Sequence, residues 1–124
     1  MDDAVRGYIA AIEADRRPLF DRIHQLVLQV RPDVDAVLSY QMPTFVVGRY
    51  RLYVGVWKHG LSFYGWEPGR DAGFAARHPE LITNKGTMKL GPDDVAGIPD
   101  DELRDFVRAV FDNRVWRPLP TPPR

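Results

Sequence analysis

The stretch that decides the fold is Leu52-Tyr53-Val54-Gly55-Val56-Trp57, in which aliphatic side chains alternate with aromatic residues or glycine. This alternation is typical of a β-strand with two different faces, because successive side chains point to opposite sides of a sheet. Lys58-His59-Gly60 follows as a turn, and Leu61-Ser62-Phe63-Tyr64-Gly65-Trp66 returns as the next strand. The pattern predicts an antiparallel hairpin with an aliphatic face and an aromatic face.

Further strands are predicted on both sides of this hairpin. Residues 37–40 form a short apolar run, and residues 44–47 are β-branched and aromatic, with Gly48-Arg49 as the turn that follows. The irregular segment Ser39-Tyr40-Gln41-Met42-Pro43-Thr44-Phe45 marks the entry to the sheet. Residues 86–90 alternate again and predict a final strand.

Helical spacing predicts the remaining elements. Apolar residues within 3–13 recur at i, i+3, i+4 and i+7, which indicates a first helix with one buried stripe. A second helix should be capped by Asp15 and should end near Arg31, which precedes a proline. The acidic residues 100–102 predict the start of the last helix, and residues 67–84 a polar connection with a short helix.

These elements predict an α+β fold: an antiparallel sheet of about four to five strands, with two N-terminal helices and a C-terminal helix packed mainly on one face. The chain has 124 residues, of which 44% are hydrophobic and 27% charged, as in soluble globular proteins. We predict one domain over residues 1–117 and a proline-rich C-terminal tail over 118–124.

Composition argues against several classes of function. The formal net charge is zero and the isoelectric point is near 6.8, so no overall field attracts nucleic acid or anionic lipid. The absence of cysteine excludes disulfides, thiolate zinc sites and cysteine nucleophiles. Neither a signal peptide nor a membrane-spanning stretch is visible, and we therefore expect a cytoplasmic protein that binds neither nucleic acid nor membrane.

Three segments carry a resemblance to a known family. Tyr40-Gln41-Met42-Pro43-Thr44-Phe45, then Lys58-His59 leading into Leu61-Ser62-Phe63-Tyr64, and then Lys85-Gly86-Thr87-Met88-Lys89-Leu90 follow one another at matching spacing. Together, over about residues 3–112, they resemble the YdhG-like family, also called domain of unknown function 1801. That family more often has glycine where Gln41 stands. The resemblance implies an α+β fold and little chemistry.

The resemblance also raises the possibility of iron, since some relatives are described as frataxin-like intracellular iron chaperones. Such a role needs carboxylates for Fe(II). The sequence near the first helix offers Asp2, Asp3, Glu13 and Asp15, which do not form a dense acidic ridge. The sequence predicts no metal ligand, and iron remains a cofactor implied by the resemblance alone.

Candidate ligand-binding residues come from the aromatic strand face and the basic residues near it. Tyrosine and lysine can donate hydrogen bonds, tryptophan offers a stacking surface, and Lys85, Thr87 and Lys89 share one strand face. A kink packed by its own side chains and a solvated strand face would explain the same residues. The candidates are Tyr40, Met42, Pro43, Trp57, Lys58, His59, Tyr64, Lys85 and Lys89.

The sequence favours binding over catalysis. It has no Gly-x-Ser-x-Gly elbow, phosphate loop or dinucleotide fingerprint, although an acid–base site assembled in space stays open. We predict a small binding domain for a small anionic or planar ligand, and a homodimer is one of the assemblies it could form. The alternatives are a frataxin-like iron chaperone and a protein-interaction module with Tyr53, Trp57 and Trp66 at its interface.

Overall fold

The structure is a computed structural model and describes residues 2–84 and 86–111. Its helices are α1 (Asp3–Ala10), α2 (Arg17–Val30), α3 (Phe74–Arg77), α4 (Pro92–Ala96) and α5 (Asp100–Phe111). Its strands are β1 (Asp35–Ser39), β2 (Met42–Val47), β3 (Tyr50–Trp57), β4 (Gly60–Tyr64), β5 (Ile82–Asn84) and β6 (Thr87–Leu90). A short 3₁₀ helix, Pro79–Leu81, leads into β5.

The strands form one antiparallel sheet in the order β1-β2-β3-β4-β6-β5. The predicted α+β class is confirmed, as are the hairpins β2–β3 and β3–β4. The described residues form six strands rather than the four to five expected. The additional strand is β5, which lies in the predicted polar connection. It has only three residues and an irregular register with β6, so no alternating pattern marks it in the sequence.

The core lies between the helices and the aliphatic side of the sheet. Leu52 and Val54 of β3 and Phe63 of β4 are 0–1% exposed, and they belong to one cluster with the apolar residues of α1, α2 and α5. The ring of Phe63 stacks on Phe106 of α5 with the centroids 5.6 Å apart. The predicted alternation of β3 is thus confirmed, with its aliphatic residues facing the helices.

Helix boundaries near residue 15 differ from the prediction. Helix α1 ends at Ala10 and not at residue 13, and Asp15 does not cap α2, which starts after Arg16 without any side-chain cap. Asp15 instead lies 3.4 Å from the guanidinium of Arg16, whose Nη1 donates to the carbonyl of Trp57 at 2.6 Å. This long-range hydrogen bond fixes the connection between the two helices in a turn.

Helix α2 is also tied to the C-terminal part of the chain through Arg22. Its Nε donates to Asp100 at 2.8 Å, and Nη1 and Nη2 donate to the carbonyls of Val95 and Ile98 at 2.9 and 2.6 Å. Those carbonyls belong to α4 and to the segment before α5. One guanidinium therefore fixes three groups that would otherwise need water at the helix ends.

Trp66 lies elsewhere than the sequence predicts. Strand β4 ends at Tyr64, and Gly65 has a φ of 90°, which turns the chain inward. The indole of Trp66 is 3% exposed and its N–H donates to the carbonyl of Phe63 at 3.0 Å. Trp66 is thus a core residue and cannot belong to an exposed aromatic patch.

The predicted domain boundary is not covered by the described residues, whereas the prediction about membrane-spanning segments is covered in part. The domain boundary at residue 117 and the tail 118–124 lie outside them. Within residues 2–84 and 86–111, no helix has the length and apolar character that crossing a bilayer requires.

Glu102, in the first turn of α5, joins that helix to the segment after α3. Its Oε2 accepts hydrogen bonds from Arg77 Nε at 2.7 Å and from His78 Nε2 at 2.8 Å. Burial raises the pKa of Glu102, but these hydrogen bonds outweigh burial and hold the pKa below its ordinary value of 4.5. The charged carboxylate is therefore the form that the fold stabilises.

We expect Glu102→Gln to lower the free energy of unfolding by about 1–2 kcal/mol near neutral pH, because an amide accepts these hydrogen bonds more weakly. A folded-state pKa below the unfolded value means that the stabilisation is complete above about 4.5 and is lost as the pH falls through the folded-state pKa. Urea unfolding at a series of pH values measures this loss.

Glu80→Gln is the matched control, since that side chain is 65% exposed and lies 3.7 Å from His78 Nδ1. It should change the free energy of unfolding by less than about 0.5 kcal/mol. A difference between Glu102→Gln and the wild type that does not shrink in acid would contradict the role of the carboxylate.

Candidate functional site

The side of the sheet opposite the core carries most of the predicted site. We call it the open face. Register places Thr44, Tyr53 and Tyr64 in one cross-strand row and Gly55, Ser62 and Lys89 in the next. The open face consists of Met42, Thr44, Tyr53, Gly55, Trp57, Ser62, Tyr64 and Lys89, of which Thr44 and Ser62 are buried.

Three tyrosines gather on the open face. Tyr53 lies directly opposite Tyr64 on the neighbouring strand. The ring of Tyr40 lies against that of Tyr53 with the centroids 5.7 Å apart, and Tyr40 is 82% exposed. The rings present apolar area together with phenol hydroxyls, the combination that proteins use to hold planar polar molecules.

The turn that carries Tyr40 is strained. Tyr40 and Gln41 join β1 to β2 with φ angles of 51° and 63°. Two-residue hairpins with positive φ at both positions favour asparagine and glycine, because a side chain in the left-handed region meets its own backbone. Strain of this kind often accompanies function, and here it holds an exposed tyrosine over the open face.

Gly55 forms the floor between these side chains. A Cβ added there would lie 3.6 Å from the Met42 sulfur, 3.7 Å from Tyr64 Cε2 and 3.9 Å from Ser62 Cβ, which are ordinary contact distances. At Gly65, by contrast, a Cβ would lie 2.4 Å from the carbonyl oxygen of Arg51. The backbone requires glycine at position 65 but not at 55, where glycine only leaves space and weakens the strand.

Positive charge and an unpaired donor lie at one end of the open face. Lys89 Nζ is 4.6 Å from the centre of the Trp57 ring, and the ring of His59 meets the same indole edge-on at 5.1 Å. The indole nitrogen of Trp57 is buried, and no residue in the described part of the chain accepts a hydrogen bond from it. A buried donor without an acceptor is uncommon and calls for a partner.

The structure brings together six of the nine predicted site residues: Tyr40, Met42, Trp57, His59, Tyr64 and Lys89. Pro43 does not join them, because it is buried and alternates with Met42 and Thr44 toward the core side. Lys58 is exposed in the turn beside His59. Lys85 lies outside the described residues.

The ligand-binding residues predicted from the sequence did not include Tyr53, Gly55 or Ser62, although Tyr53 was assigned to the alternative interface. All three share the strand period of Trp57 and Tyr64, so alternation alone could have added them. The role of Gly55 as a floor depends on the Met42 side chain from another strand, which no local pattern reveals.

The carboxylates considered for iron are engaged locally. Asp2 caps α1 by accepting from the Val5 N–H at 3.0 Å, and Asp3 lies 3.6 Å from Arg6. Glu13 and Asp15 both pair with Arg16. Over residues 2–84 and 86–111, no three histidine, aspartate or glutamate side chains converge as metal ligands would.

Comparison with known proteins gives no match: no family model, no curated protein and no solved structure is similar to the chain at a significant level. The function must therefore be argued from the chemistry of the open face.

We expect Gln41→Gly to raise the free energy of unfolding by about 0.5–1 kcal/mol. Glycine removes the left-handed strain at a φ of 63°, and this gain exceeds the extra entropy that glycine gives the unfolded chain. Urea unfolding of the variant and the wild type measures the difference.

Glutamine to glycine within a helix should change the free energy of unfolding in the opposite direction, and this provides the control. Gln25 is exposed within α2, where glycine should lower the free energy of unfolding by about 0.7–1 kcal/mol. If both variants were destabilised equally, the strain at Gln41 would be refuted.

Proposed function

We propose that the open face binds a small molecule that is planar, anionic or both. The observation that carries the proposal is the convergence of Tyr40, Tyr53 and Tyr64 beside Gly55, over which a gap admits one carbon atom, with Lys89 and Trp57 at one end. Exposed aromatic groups gathered on one surface are a common mark of a binding site.

The tyrosine end suits the planar part of a ligand. A flat ring packed on the tyrosines would reach the Met42 sulfur and the edge of Tyr64, both of which border the one-carbon gap over Gly55. Tyr40 is exposed enough to close over such a ring from the turn. Aromatic and thioether contacts of this kind each contribute about 0.5–1.5 kcal/mol.

The tryptophan end suits an anionic group. A ligand oxygen over Trp57 would lie close to the ammonium group of Lys89, which is 4.6 Å from the centre of the indole ring. Lys58 adds positive charge in the adjacent turn. A hydrogen bond from a charged donor is about twice as strong as one between neutral groups, so an anion would be preferred over a neutral analogue.

We also propose that the chain belongs to the YdhG-like family. The three segments on which that resemblance depends include β2, β4 and β6, and each contributes a residue to the open face: Met42, Ser62 and Lys89. Their proximity supports a shared site, not a chance likeness of three short motifs.

A second candidate function is association with another protein, including a second copy of this chain. It is favoured by the 82% exposure of Tyr40 over an aromatic surface. Interfaces are enriched in tyrosine and tryptophan, and the patch would then be covered by the partner.

The first test uses two fluorescent probes, anilinonaphthalene sulfonate as a planar anion and phenylnaphthylamine as its neutral analogue. We expect saturable binding of the sulfonate, weakened about tenfold by Gly55→Val, whose side chain fills the gap. Lys89→Met should weaken the sulfonate about fivefold more than the neutral probe, because it removes the charge and keeps the length of the side chain.

Arg108→Ala is the control, since Arg108 is exposed on α5, across the sheet from the open face. It should leave both affinities unchanged. Near-ultraviolet circular dichroism establishes that each variant is folded. Equal binding by the wild type, Gly55→Val and Lys89→Met would refute the proposal.

The second candidate is tested by light scattering after size-exclusion chromatography. If the open face joins two copies, the wild type should be a dimer and Tyr40→Ser should shift it toward monomer, because the most exposed ring of the patch is removed. A wild type that is monomeric at high concentration would exclude the homodimer. Trp66 is unsuitable for this test because it is buried.

A further inference from the structure

A cavity of about 530 Å³ opens at the end of the sheet near the β2–β3 turn. Its lining includes three arginines, Arg49, Arg51 and Arg70, together with Tyr50 and Glu67. The cavity is within the size range of small-molecule sites. It lies at the far end of β3 from Trp57, so it is separate from the cationic end of the open face.

The three guanidinium groups are held by contacts within and around the turn. Arg49 and Arg70 both lie over the Tyr50 ring, with Cζ 5.3 and 5.2 Å from its centroid. Arg49 Nη2 also donates to the Tyr50 hydroxyl at 3.2 Å, and Arg51 Nη1 donates to the carbonyl of Arg49 at 3.2 Å. The arrangement orients the cations before any ligand arrives, which reduces the entropy lost on binding.

The cluster carries an excess of positive charge. Among the described residues of the lining, three arginines and one carboxylate carry a formal charge of +2; the carboxylate, Glu67, lies 3.9 Å from Arg70 and is 66% exposed. Tyr50 responds to this field: the hydrogen bond from Arg49, aided by Arg70, lowers the pKa of the Tyr50 phenol. Like charges gathered at a cavity favour a bound anion.

We propose that this cavity binds a small soluble phosphate monoester, with the phosphate held by Arg49, Arg51 and Arg70. A dianion matches the charge of +2 on the described part of the lining, and the guanidinium fork forms paired hydrogen bonds with phosphate oxygens. Tyr50 and Tyr53 line the same cavity and offer aromatic surface to the organic part of the ligand.

Isothermal titration with phenyl phosphate at constant ionic strength tests the proposal. We expect binding that is weakened at least about tenfold by the double substitution Arg49→Ala and Arg51→Ala. Benzoate, which is planar but carries a single charge, should bind about tenfold more weakly than phenyl phosphate. Both arginines are exposed, so the variant should fold as the wild type does.

Two controls separate this site from its surroundings. Arg104→Ala with Arg108→Ala removes the same number of charges from α5 and should leave the affinity unchanged. The loss caused by the double arginine substitution should persist in a Gly55→Val background, which separates this cavity from any binding of phenyl phosphate at the open face.

Several results would overturn the proposal: no binding of phenyl phosphate, equal loss in the α5 control, or benzoate binding as tightly as phenyl phosphate. A soluble ligand is distinguished from a membrane by vesicles that contain phosphatidic acid. Binding to those vesicles without binding of phenyl phosphate would also overturn it.

Discussion

The structure depends on the packing of α2 and α5 against the aliphatic side of β3 and β4. Burying a large apolar side chain contributes about 1.5–3 kcal/mol, and Leu52, Val54 and Phe63 are all 0–1% exposed there. Because the side-chain period of a strand is two, this burial also decides what lies on the other side. A slip of one residue would bury Tyr53 and Trp57 and expose the aliphatic residues, so the core fixes the register of the open face.

Much of the fold could be predicted from the sequence wherever a periodic pattern ran long enough. Helix α5 has a buried stripe over twelve residues, and β3 alternates over eight. Strand β5 and helix α4 have three and five residues, too few to show a period. The failure at Asp15 has a different origin, because a hydrogen bond from Arg16 to Trp57, 41 residues away, decides where α2 begins.

The open face was partly predictable for the same reason, since alternation is local. It placed Trp57 and Tyr64 together correctly, and applied to β2 it would have removed Pro43 from the site. The arginine cavity could not be predicted from the sequence. Arg70 lies in the loop after β4, and it and Arg49 both lie over the Tyr50 ring, an arrangement that depends on the sheet being formed.

Trp57 makes contacts on both sides of the sheet. Its ring lies on the open face beneath Lys89, while its backbone carbonyl accepts from Arg16, which leads into α2 on the opposite side. The end of β3 is thus clamped between a cation from β6 and a cation from the helical layer. Separating this strand end from the sheet would break a contact on each side. We therefore expect the β3–β4 hairpin and the start of α2 to unfold together.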